Sequence, residues 1–484
     1  MADITAKEEK RRILGQVLSR LRRQRLFDID LQLGHGGIAH GHDEPVPPLS
    51  LSDLHRIRRL FADRGLSARA VYMAEDLFVR TRVEPVQAML TEWMAGAKAQ
   101  VDGEDIPFRQ IITWCQECES WDRRHRLAIE ARSLCRFLAP FSHATWKALE
   151  AAVTEELGYG SYLEYCQARR DIDLGEEASR CRRRLDERRS DYLDRLESWF
   201  SNIFPGRELS DANRFDAIYL LGMRYMDHLA GPEISLEGAL DFFSGLGIDD
   251  KGGLDLHIDG QPGRQSYCVP VAIPGKIHLI IGPVSGWVDW EALFHEMGHA
   301  FSFMHTDPSL PLEAREFFLS GALSEAFAFV FQRLCMKEAF LSWISGREDD
   351  SFSRLEQLQH FKFQLLERRY GAKFLIEYEN FRAGRVSRGQ GLYARVMAQE
   401  TGFSYDPETY LFDLMPDFYS LDYYLAFIAS DIMIGVLEDE FGPRWFQQGQ
   451  ALERLRHWAS FGNLYEIHEF MERVVGCGLF HQGP

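Results

Sequence analysis

Cysteine is scarce in this chain, eight among 484 residues. They are too few and too scattered for a disulfide scaffold. Cys115 and Cys118 form a single C-x-x-C with no second pair, and read as two thiols on a helix face. Cys135, Cys166, Cys181, Cys268, Cys335 and Cys477 read as small buried fillers. Long apolar runs are missing too. None approaches the roughly 20 residues needed to cross a bilayer, and the charged N-terminus has no signal-peptide core. Positive charge is also in deficit: 55 Lys and Arg stand against 73 Asp and Glu, a net charge of −18. That argues against nucleic acid or an anionic membrane as partner. There is no internal repeat and no low-complexity tract. A cytoplasmic protein is expected, and 45% apolar with 26% charged residues is ordinary for a globular one.

Most of what is present is helical patterning. An Arg- and Leu-rich amphipathic helix covers residues 5–27. Residues 33–48 are a Gly- and Pro-rich loop whose His35, His40 and His42 have no fixed geometry for a metal. Helical patterns then run to about residue 202, as over 67–98, 105–137, 142–157 and 174–200. Phe204-Pro205-Gly206 breaks them, dividing an N-terminal helical region, 1–205, from a second region, 206–484. Residues 249–264 form a glycine-rich turn region. Two short strands follow, near 267–273 and 276–281, joined by Pro274-Gly275 as a hairpin. The apolar second strand is expected to edge a cleft. The strands are therefore few, and they precede one helix.

That helix, Trp287 to His305, carries His295-Glu296-Met297-Gly298-His299. Two histidines four apart share a helix face and can reach one metal ion, with Glu296 beside them as a candidate general base. Trp290, Leu293, Phe294, Met297, Phe301 and Met304 make the opposite, apolar arc. Ala292, Gly298 and Ser302 are small residues on the histidine face, leaving room for a metal and a substrate. The plain alternative is two surface histidines and a solvated glutamate. Against it, no Lys or Arg occurs between Lys276 and Arg315, unlike a solvated helix.

A catalytic zinc site takes three protein ligands and a water. His305 has the spacing of a metzincin third ligand, but Ser302 stands where that pattern needs glycine. Glu313 and Glu316 read as the start of a solvated helix. Glu325 is the only charged residue between Glu316 and Arg333, and a lone buried carboxylate needs a cation. Glu325 is the favoured third ligand, with a structural ion pair to an arginine as its alternative.

His295-Glu-Met-Gly-His-Ala300, the Ser324-Glu325-Ala326 triplet whose Glu lies 26 residues after His299, the Asp259–Cys268 loop and Phe418-Tyr-Ser-Leu-Asp-Tyr-Tyr-Leu425 together resemble the thimet oligopeptidase and oligoendopeptidase F family of zinc peptidases. The resemblance covers roughly residues 210–475. It implies a mainly α fold: a large helical zincin-type body with a small β-hairpin or sheet beside the active-site helix and a deep substrate channel. It implies one Zn²⁺ on His295, His299 and Glu325, with Glu296 as general base. Tyr419 and Tyr423 would be substrate or transition-state donors, and Tyr424 a substitute for a third tyrosine, since Ala426 stands where the family carries it. Leu414 stands where thimet-type enzymes have histidine. The expected activity is hydrolysis of short peptides, the zinc lowering the pKa of its water and Glu296 moving the proton. A monomer is expected, with oligomers open. A zinc carboxypeptidase and a non-catalytic peptide-binding scaffold are the alternatives, and manganese or cobalt could replace zinc.

Overall fold

The computed structural model describes residues 2–32, 48–61, 65–229, 235–259, 266–384 and 386–480. His35, His40 and His42, and most of the Asp259–Cys268 loop, lie outside them. Among the described residues helices predominate, with two small sheets. The elements that position the site are α1 (Ala2–Gln32), α2 (Ala68–Gly96), α3 (Trp121–Ala151), α4 (Tyr162–Arg170), α5 (Trp287–Met304), α6 (Ala322–Leu334), α7 (Asp350–Arg382) and α8 (Tyr419–Phe441). The main apolar core runs from Ile13 to Leu479 and takes residues from both sides of Phe204. Burial on this scale, worth roughly 25 cal/mol per Å² of apolar surface, ties the N-terminal helices to the rest.

The first sheet, β1 (Lys98–Val101) paired with β2 (Glu104–Pro107), interrupts a stretch expected to be helical. Its turn is Asp102-Gly103, both with positive φ (54° and 84°), the backbone that matches strand twist in a two-residue hairpin. The second sheet has the order β3-β5-β4, with β3 (Leu254–Ile258), β4 (Tyr267–Ala272) and β5 (Lys276–Ile281). β4 and β5 form the expected antiparallel hairpin. β3 departs from the expected turn region, because its Leu254-Asp-Leu-His-Ile alternation sits among glycines; it pairs parallel to β5. The run Ile277 to Ile281 is buried throughout, which makes β5 the central strand. β4 is the edge. It tolerates Pro270 for that reason.

Helix α8 corrects another expectation. An 18-residue window within residues 416–441 has a mean hydropathy of 1.4, and the helix is long and apolar enough to cross a membrane by length and composition alone. Its apolarity has a use inside the fold: 72% of the window is buried, packed chiefly on α6 and α7.

Candidate active site

Helix α5 is held by its apolar arc: Trp290, Leu293, Phe294, Met297 and Phe301 are all at most 2% exposed. Asp289 in its first turn accepts from the Ser285 N–H at 3.0 Å and pairs with Arg224, and an acidic group there also suits the helix dipole. The histidine side then faces a cleft of about 1060 Å³. Gly298 is on that side but does not open it. A Cβ there would stand 2.6 Å from the Ala328 Cα and 2.9 Å from the Phe327 carbonyl oxygen of α6. Its smallness serves helix approach, not substrate, and the approach delivers Glu325. Gly298→Ala is expected to push the helices apart, costing about 1–3 kcal/mol and weakening metal binding. Thermal melts and metal titration of the variant would check this.

His295 Nε2 and His299 Nε2 are 3.2 Å apart, and Glu325 Oε2 lies 3.3 Å from the first and 3.6 Å from the second. Ligand atoms at the corners of a tetrahedron with bonds of about 2.0–2.1 Å are roughly 3.3 Å apart, so the trio fits one ion. Glu325 is 3% exposed, and its Oε2 is buried without a hydrogen-bond partner among the described residues. No Lys or Arg pairs with it among the described residues, against the ion-pair alternative. Burial opposes charge on Glu325, but His299, His295 and Tyr419 outweigh it and hold the carboxyl down at about 2. Burial also opposes charge on His295, where Glu325 prevails and raises the pKa. His299 is pushed down by burial to about 4. Without an ion, one histidine supplies the charge that the glutamate needs. A divalent cation does so better, and the residues present fit one.

Two residues to which the motifs gave no role orient the histidines. Gln332 Oε1 is 3.0 Å from His295 Nδ1, and Ser324 Oγ is 2.7 Å from His299 Nδ1. Donation from each Nδ1 leaves both Nε2 lone pairs aimed at the shared point. Position 332 lies two turns beyond Glu325 on the same helix, a periodicity that could have identified it. Gln332→Leu is expected to weaken metal affinity about 10- to 100-fold, read by competition with a chromogenic chelator.

Glu296 projects into the cleft. Burial pushes its carboxyl up to about 7; the Glu325 charge adds to the rise, while His295 and the Cys268 backbone N–H oppose it. That N–H belongs to β4, so the edge strand and Glu296 are adjacent. The strand over the cleft is therefore not the Ile277–Ile281 strand expected there. Tyr267, Cys268, Val269 and Pro270 of β4 line it instead, because β5 is enclosed between β3 and β4.

Tyr419 and Tyr423 share one face of α8 and both line the cleft. The Tyr419 hydroxyl donates to Glu325 Oε1 at 2.6 Å, and the Tyr423 ring lies 4.6 Å from that of Tyr370. Asp417 and Phe418 precede them in the left-handed region, φ 58° and 55°, a conformation that bulky residues hold only when their surroundings insist. Here the Tyr162 hydroxyl accepts from the Asp417 N–H at 2.6 Å. Asp422 fixes the register between α8 and α6: it accepts from Ser320 Oγ at 2.8 Å and the Gly321 N–H at 2.9 Å, and it pairs with Arg170 of α4.

Three other positions raised by the sequence lie outside the cleft. Tyr424 is fully buried against Gly371 of α7 and does not line the cleft; one residue beyond Tyr423 turns the side chain about 100° round the helix. His305 ends α5 with its Nδ1 bonded to the Phe301 carbonyl at 2.9 Å, away from the trio. Glu316 is not on a solvated helix. It is fully buried and paired with Arg22 and Arg25 of α1, at 2.6 and 2.9 Å. The basic face of α1 thus has an internal partner. Helices α1, α2 and α4 contribute Arg25, Met73, Arg80 and Arg169 to the cleft wall.

No protein-family model matches the chain, and no curated protein matches it. Its fold does have solved counterparts, in a class of large helical peptidase bodies with a small sheet. An oligoendopeptidase F structure matches with a TM-score of 0.64 at 12% identity, over 95% of this chain and 83% of that one. PZ peptidase A bound to an inhibitor matches at 0.60 and 15%, over 95% and 84%. An oligoendopeptidase F from Bacillus anthracis str. Ames matches at 0.57 and 15%, over 96% and 82%. The chain has the oligoendopeptidase F fold.

Proposed function

We propose that the protein is a zinc-dependent oligoendopeptidase acting on short peptides. The observation that carries this reading is the buried, unpartnered Glu325 Oε2 facing His295 Nε2 and His299 Nε2 on the cleft floor, with Glu296 beside them. The activities named for the three fold neighbours support it.

His295, His299 and Glu325 would hold the ion. Bound there, Zn²⁺ supplies Lewis-acid polarisation and a more acidic water. The remaining work belongs to the chain. An extended peptide adds to the open edge of β4, whose backbone groups set its direction. Glu296 takes a proton from the attacking water and returns it to the leaving amine. Tyr423 donates its O–H to the oxygen of the scissile carbonyl as negative charge develops there. Tyr419, already engaged with Glu325, steadies that carboxylate. The eight cysteines are free, which suits the cytoplasmic setting included in this proposal.

The test is mass spectrometry of a mixed-length peptide library incubated with zinc-loaded, chelator-stripped and reloaded protein. Internal cuts that disappear on stripping and return with zinc are expected. Exclusive loss of single C-terminal residues would make the protein a carboxypeptidase instead. A zinc-loaded protein that cuts nothing would overturn the reading and leave a binding scaffold.

A further inference from the structure

A second group of ligating side chains lies at the other end of the same sheet. Asp255 and His257 stand two apart on β3, on one face of the strand, and Asp255 is in register with His278 of β5. The central strand separates β3 from β4, and none of the three residues lines the cleft.

Their spacing repeats that of the candidate catalytic trio. His257 Nε2 is 3.2 Å from His278 Nδ1. Asp255 Oδ1 is 3.3 Å from the former and Oδ2 is 3.3 Å from the latter. The corresponding distances in the trio of His295, His299 and Glu325 are 3.2, 3.3 and 3.6 Å. The two imidazoles are nearly parallel, 6° between planes, with one nitrogen of each turned to the same point as the carboxylate.

No placement of ring protons satisfies all three contacts. A neutral imidazole nitrogen either donates or accepts. If both nitrogens donate to Asp255, the N···N approach has no hydrogen bond. If one proton sits between the nitrogens, a lone pair faces a carboxylate oxygen. The His278 side chain is only 8% exposed and its Nε2 has no partner among the described residues, so its polar interactions there converge on Nδ1. A cation at the centre satisfies all three atoms together.

We infer that Asp255, His257 and His278 form a second metal site, taking a borderline divalent ion of the Zn²⁺ class through two imidazoles and one carboxylate. Asp255 is 49% and His257 33% exposed at the side chain, so the site is open to solvent for entry and for a water as fourth ligand. It fastens the edge strand β3 to β5 by side chains, in addition to the backbone ladder, just ahead of the segment that leads into β4.

The experiment counts ions. Full-length protein is stripped with a chelator, reloaded with Zn²⁺, desalted and measured by elemental mass spectrometry. Two equivalents per chain are expected for wild type, one for His257→Ala, one for His295→Ala and none for the double variant. His257 is partly exposed, so its variant is expected to fold; Asp255→Asn provides a second probe, also retaining one. A wild type holding a single ion that only His295→Ala removes would overturn this site and leave the peptidase reading standing. A single ion removed by His257→Ala but not by His295→Ala would support this site and count against the catalytic one. One ion in wild type that neither variant removes would overturn it.

Discussion

Glu296→Gln is expected to slow peptide cleavage by about 10²- to 10⁴-fold, the usual contribution of a positioned general base. Its fold and metal content should be unchanged. The substitution is nearly isosteric, and Glu296 is not among the three residues that converge on the ion position. The amide can still accept from the Cys268 backbone N–H that meets the carboxylate. What it loses is the capacity to hold a proton. Circular dichroism, zinc content and kcat/KM on one internally quenched peptide separate these properties. A Glu296→Gln variant with near wild-type turnover would mean that another group moves the proton and that the base is wrongly assigned.

Tyr423→Phe should cost about 100- to 1000-fold in kcat, the effect of losing one donor to an oxyanion, with KM and zinc content little changed. The ring itself is held by Tyr370 at 4.6 Å and Phe329 at 5.9 Å, contacts that phenylalanine keeps. Tyr419→Phe should behave differently. Its hydroxyl already donates to Glu325 Oε1 at 2.6 Å, so its loss should lower metal affinity before it lowers turnover in saturating zinc. The contrast between the two variants, read as kcat against zinc Kd, distinguishes transition-state donation from ligand support. Identical profiles would mean that the hydroxyls share a role. Full activity of Tyr423→Phe would move the donor role to Tyr419.

Much of this arrangement is legible without coordinates because it is local. Histidines four apart on a helix share a face whatever surrounds them, and Glu296 must then project beside them. The apolar arc of α5 and the absence of cations between Lys276 and Arg315 are equally local statements. Even Glu325, far along the chain, stands out because burying a solitary carboxylate demands a partner. The Asp102-Gly103 turn is a local signal as well, but the helical periodicity around it obscures it.

What the one-dimensional pattern could not decide is which surface meets which. Burial of Glu316 depends on arginines nearly 300 positions earlier, and nothing near residue 316 announces them. The role of Gly298 depends on the backbone of α6 reaching it. Gln332 and Ser324 acquire meaning only when α6 crosses α5, and Tyr423 and Tyr424 part company only once the core claims one side of α8. The ligand types, the spacing of the histidines and the helix that presents them are written in the chain, since covalent geometry carries that information over a few turns. The second cluster, the strand that edges the cleft and the orientation of the ligands came only with the folded chain. Those depend on close packing between segments far apart in the chain, and such packing is a property of facing surfaces, with no local pattern to record it.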